Sequence, residues 1–159
     1  MGNILFSPNG RINPGDFTKG ALVLIIIGAI LNFLPLLGAG KGLQQVLSVV
    51  PYLLIYPWIC LFMKRFRDAG KSGWMSLIPF AVYVVGALVL TFGLLGGEIM
   101  SMAESINEGG DPEAMAEEMV KGKMLPMAIA STLLSVVIAF GFNAILKRDD
   151  HENQFGPAS

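Results

Sequence analysis

The sequence predicts an all-α integral membrane protein: four transmembrane helices, both termini cytoplasmic, and short amphipathic helices in the outer loop between spans three and four. Three observations carry that prediction. The 159-residue chain is 53% hydrophobic and only 14% charged, against roughly 25% charged in an average soluble domain. Its apolar residues gather into four long runs, about 20–38, 46–63, 74–97 and 124–146, none of which contains Asp, Glu, Lys, Arg or His. The basic residues alternate between the connections. A bilayer core of about 30 Å needs roughly 20 residues at 1.5 Å each, so each run is long enough to cross. A soluble helical core would show polar faces at period 3.6, and these runs show almost none. The expectation is one membrane domain over 1–159, with an outer loop at 98–123 and a cytoplasmic tail at 147–159.

The amino-terminal segment carries Arg11 and Lys19 among Pro8, Pro14 and Asp16. It has no apolar h-region, so no cleavable signal peptide is expected. Spans one and two are joined by the Gly-rich "GAGKGLQQ", which implies a helical hairpin. Pro51 and Pro57 lie inside span two, where each removes a backbone donor. The next connection carries Lys64, Arg65, Arg67 and Lys71, and the tail carries Lys147 and Arg148. The opposite side has only Lys41, Lys121 and Lys123. Eight basic residues against three place both termini in the cytoplasm by the positive-inside rule. Seven acids, from Glu98 to Glu118, fall in the outer loop and agree with that orientation.

The connection "KRFRDAGKSGWMSLIP" contains Gly70-Lys71-Ser72, which is how a phosphate-binding loop ends. Such a loop needs a glycine five residues before Gly70, a strand before it and a helix after it. Residue 65 is arginine and a membrane span precedes it, so no nucleotide site is expected. Instead, Gly70 and Gly73 would turn the chain back into the membrane. Ser72 would cap the helix starting near Trp74. Arg65, Arg67 and Lys71 would sit at headgroup level, against lipid phosphate or an acidic partner surface. Asp68, an acid among four bases near a low-dielectric boundary, should be paired.

In span four, Ser131, Ser135, Ala139 and Asn143 recur every four residues and form a small-residue stripe on one face. In span three, Gly93 and Gly97 make a small-xxx-small pair. Both features suit close helix packing in lipid. Asn32, Thr91 and Ser131 should lie at one depth, with Asn32 facing inward and bonded to span three or four. The outer segment reads as two short helices separated by Gly109-Gly110, with Asp111 as N-cap and Pro112 at the first position. Met100, Met102, Met115 and Met119 raise a Cu(I) site. With no His or Cys beside them, adaptable apolar filler on a membrane or partner surface is the better reading.

At three places the sequence resembles the DUF805 (YhaH-like) family of bacterial inner-membrane proteins, a domain of unknown function. These are "FSPNGRINPGDF" near the start, "KRFRDAGKSGWMSLIP" after span two, and "ENQFGP" at the end. Phe66-Arg67 stands where the family has Leu-His, Pro14 where a basic residue is common, and Gln154 where a basic residue stands. The resemblance implies a small helical protein of the bacterial inner membrane and implies no activity.

With both termini inside, all three motifs share the cytoplasmic face. They should meet in one cluster of Arg11, Arg65, Arg67, Asp68, Gly70, Lys71, Ser72, Trp74, Asn153, Phe155 and Gly156. In that cluster Asp68 accepts from Arg11 or Arg65, and Phe155 anchors the folded-back tail. No catalytic, cofactor or metal residues are expected, since only Asp68, His151 and the arginines are available inside. Coupled transport usually leaves ionisable groups at membrane depth, and the runs have none. The sequence therefore reads as a non-catalytic accessory or scaffold subunit, with a small transporter or channel without ion coupling as the alternative. Its expected partners are membrane lipids and a larger membrane-protein complex or further copies of itself, with no nucleic acid and no nucleotide.

Overall fold

A computed structural model describes residues 2–37, 41–107 and 111–158. The described chain is all-helical: α1 (Gly2–Phe6), α2 (Pro14–Phe33), α3 (Lys41–Leu53), α4 (Ile55–Asp68), α5 (Leu77–Asn107) and α6 (Pro112–Ile145). A short 3-10 turn follows α2 at Leu34–Leu37, and another precedes α5 at Gly73–Ser76. Four helical stretches are long and apolar enough to cross a membrane: Pro14–Leu37, Gln45–Asp68, Gly73–Ile106 and Gly122–Ile145.

The helices run past the expected spans for identifiable reasons. Helix α2 begins six residues early because Asn13 caps it. The Asn13 side chain accepts from Asp16 N at 2.8 Å and donates to Asp16 Oδ2 at 3.0 Å, and Pro14 takes the first helical position. The first bond satisfies an orphan amide of the first turn and the second holds the capping side chain in place. The second span is two helices, α3 and α4, that break at Leu54. Pro57 has no N–H to give the Leu53 carbonyl, so the ladder lapses there and restarts with Trp58 N donating to Leu54 O at 3.2 Å. Helix α4 continues through the basic stretch to Asp68, so Lys64, Arg65, Arg67 and Asp68 are helical rather than in a loop.

The two halves of the expected outer loop are also helical, but as continuations of α5 and α6 rather than separate short helices. Asp111 precedes Pro112 at the start of α6. Gly109-Gly110 and Glu108 lie outside the described residues, as does the Met119 side chain. Met100 is exposed, while Met102 and Met115 are half-buried.

Helix α6 packs on both α5 and α2, and α2 packs on α4. The small-residue stripe of α6 faces α2. Ala139 is fully buried, Ser131 and Ser135 are half-buried, and Ser131 Oγ accepts from Asn32 Nδ2 at 3.2 Å. Thr91 is half-buried on α5, and the bond at this level runs between α2 and α6. Asn32→Leu is expected to destabilise the bundle by ~1 kcal/mol, read as a lower unfolding midpoint in detergent. An unchanged midpoint would make the bond incidental.

The glycine pair of span three is corrected. Gly93 and Gly97 are exposed, and a Cβ on either would meet nothing within 4 Å. The close approach occurs one helical turn and more earlier, where a Cβ on Gly86 would lie 2.9 Å from the Leu134 side chain. Large apolar side chains such as Phe92 (64% exposed) and Val137 (66%) cover the bundle's flanks, as a hydrocarbon solvent permits.

The densest core lies at the end of the bundle that carries the two chain termini. Phe17 and Phe62 stand 5.3 Å apart, Trp58 stacks on Phe62 at 5.7 Å, and Phe142 meets Phe62 edge-on at 6.1 Å. These rings tie α2, α4 and α6 together directly above the charged residues.

Candidate functional site

Helix α4 ends by delivering four ionisable side chains to the terminal end of the bundle, and three of them are buried. Lys64 is 3% exposed, Arg65 1% and Asp68 0%. Each has a structural assignment. Lys64 Nζ donates to Asn3 O at 2.7 Å and also to Ile4 O, carbonyls at the negative end of α1. Arg65 reaches the end of α6: its Nε donates to Asn143 Oδ1 at 2.7 Å and its Nη2 to Asn143 O at 3.2 Å and to Leu146 O. A buried cation thus closes carbonyls that α6 leaves open.

Asp68 sits between two arginines. Its Oδ2 accepts from Arg65 Nη1 at 3.2 Å, and its Oδ1 from Arg11 Nε at 3.3 Å. Arg11, whose side chain is 1% exposed, extends the network into the tail. Its Nη1 donates to His151 O at 2.7 Å and Gly156 O at 3.1 Å, and its Nη2 to Asp149 O. Asp149 N in turn donates to Asp68 O at 2.8 Å. One guanidinium therefore gathers the carbonyls of a folded-back tail around one buried carboxylate.

The tail's own turn presents those carbonyls. Asn153 and Gly156 exchange backbone hydrogen bonds at 2.9 and 3.2 Å, Phe155 N donates to Asn153 Oδ1 at 2.9 Å, and Gly156 takes φ +118°. A side chain at that φ would be strained. Asn153 Nδ2 also donates to Arg67 O at 3.1 Å, and the Arg67 guanidinium lies 5.5 Å over the Phe155 ring. Arg67 Nη1 donates to Pro8 O at 2.6 Å. The three sequence motifs are in contact.

Gly70-Lys71-Ser72 ends a helix. Gly70 N donates to Arg67 O at 3.0 Å and Lys71 N to Phe66 O at 2.9 Å, with Gly70 at φ +68°. This is the Schellman arrangement that terminates helices at a glycine. Ser72 holds the N-cap position of the 3-10 turn, but its side chain makes no capping bond, so the expected hydroxyl cap is corrected. The start of a 3-10 turn leaves few amides within its reach. Lys71 and Ser72 are exposed, and Trp74 is 76% exposed. Gly73 is buried because Met63 and Arg67 fill the space a Cβ would need, at 2.6 and 2.9 Å.

The family model described as "Protein of unknown function (DUF805)" matches residues 5–157. The chain belongs to the DUF805 family. No curated protein and no solved structure matches it. The DUF805 match takes in Arg11, Arg65, Asp68, Asp149 and Gly156.

Asn143 and Asp149 lie outside the three sequence motifs and Lys64 heads the middle one, but none of the three was expected in this cluster. Asn143 has the clearest signal, as the amide ending the small-residue stripe. Its Nδ2 donates to Pro14 O and Thr18 Oγ1, both at 3.2 Å, while its oxygen receives Arg65. Hydrogen bonds from Asn153 Nδ2 and His151 N, and the nearby Arg11 charge, hold the Asp149 carboxyl below its ordinary range. A depressed carboxylate stabilises the fold above its unfolded value and loses that contribution as pH falls through the folded one. Hydrogen-exchange protection of 149–157 is therefore expected to persist on acidification to about pH 4 and to fall only below it. Loss already near pH 6 would assign the tail's release to another group.

Proposed function

We propose that this protein is a non-catalytic, multi-pass protein of the bacterial inner membrane that serves as an accessory or scaffold subunit. On this reading both termini and the charged cluster lie in the cytoplasm, where the cluster's outer surface docks a larger membrane complex or lipid headgroups. The observation that carries it is how the charges are divided. Arg11, Arg65 and Asp68 are committed to one another and to backbone carbonyls, which leaves none of them poised to take part in proton transfer. Lys71, Trp74 and Lys147 stand exposed at the same end, a basic and aromatic surface suited to phosphate headgroups or an acidic protein face.

Isolation of the intact protein in mild detergent tests this. A stoichiometric membrane-protein or anionic-lipid companion, lost in the Lys71→Glu, Trp74→Ala double variant while the unfolding midpoint stays put, supports docking. A protein isolated alone that changes solute flux in liposomes would replace docking with the transporter reading. For orientation, a cysteine at Glu104 is expected to react with an impermeant reagent added to intact cells, and one at Lys71 is not. The reverse pattern would invert the topology.

A further inference from the structure

The packing of the spans leaves a cavity of about 170 Å³ that the charged cluster does not use. Helix α5 packs mainly on α6, and α6 on α2, whereas α4 barely touches α5. The cavity occupies that gap, with Gly28, Asn32, Trp58, Tyr83 and Ser135 among its walls. Ser76 also lines it. Ser76 is 2% exposed, and its hydroxyl has no hydrogen-bond partner among the described residues.

We infer that this crevice is a lipid site that takes one acyl chain of a bilayer phospholipid, with the ester group at the level of Ser76. The site is distinct from the proposed docking surface and rests only on the membrane embedding of the four spans. Three observations select the occupant. The crevice lies along spans whose solvent is hydrocarbon, and most of its wall area is apolar. A helix of a second copy is about 10 Å across with its side chains and does not enter a cavity of about 170 Å³, whereas part of a hydrocarbon chain does. Ser76 stands three residues inside the start of its span at Gly73, close to that end of the span. Ester carbonyls lie in the interfacial layer, which adds roughly 5–7 Å to each side of the hydrocarbon core. A buried hydroxyl without an acceptor is costly, and an ester carbonyl supplies one.

Gly28 gives a clean test, because a Cβ there would meet no protein atom within 4 Å. Gly28→Leu adds an apolar side chain at a wall of the crevice and favours the helix. Native mass spectrometry of protein released from phospholipid nanodiscs into mild detergent reads the retained lipid. The expected result is one phospholipid per chain for the parent protein, none for Gly28→Leu, and several-fold less for Ser76→Ala, all with parent-like unfolding midpoints. Equal retention by the three proteins overturns the site, as does a folded parent that retains no lipid. Disulfide crosslinking between copies through cysteines placed at Phe80, efficient in the parent, would give the crevice to a second copy and overturn it as well.

Discussion

Asp68→Ala is expected to destabilise the protein by about 3–5 kcal/mol, the cost of breaking a buried ion pair from one side. The carboxylate is 0% exposed and receives both Arg11 and Arg65. Its removal leaves two guanidinium groups buried with only neutral acceptors, and cations in that state must draw in water or move. The tail would follow, because Arg11 holds it through the carbonyls of His151 and Gly156. Lys71→Ala is the control. Lys71 is exposed, and surface substitutions usually stay within about 0.5 kcal/mol. Unfolding midpoints in detergent and steady-state protein levels should both separate the two variants. Equal, negligible effects would reduce the basic stretch to a topology signal.

Arg65→Ala should match that loss, and Arg65→Lys should recover only part of it. Arg65 does three things with one planar group: it pairs with Asp68, it fixes the Asn143 amide, and it closes the last carbonyls of α6. Lysine restores the charge but not the fork. Its ammonium can serve the carboxylate or the helix end, not both. The same unfolding assay checks this, and full recovery by lysine would show that charge alone matters.

The spans were legible because a run without a single charge has one physical interpretation at that length. So was the meeting of the three motifs, once four crossings put them at one end. What the sequence concealed was burial. Lys64 read only as a topology charge and Arg65 as a headgroup-level cation, because much of their compensation is backbone carbonyl from α1 and α6, which no side-chain pattern announces. For the same reason α4 appeared to stop at Met63, when its last turn carries the charges inward. Gly93 and Gly97 had the right spacing for close packing and the wrong face, and Gly86, with no glycine four residues away, is where the Leu134 side chain comes close. Ser72 occupied a cap position without making the bond, since residue type predicts the position better than the geometry of a 3-10 start.

The contact between Arg11 and Gly156 joins residues 145 apart in the chain, so it is among the last that biosynthesis can complete. Chains emerge from the amino terminus at a finite rate, and Arg11 and Arg65 are therefore made long before their acceptors at Asn143, Leu146, His151 and Gly156. Until α6 and its trailing residues have been made, the two guanidinium groups have the Asp68 carboxylate but not the carbonyls that complete their hydrogen bonds. The network is therefore finished only when the last residues of the chain fold back.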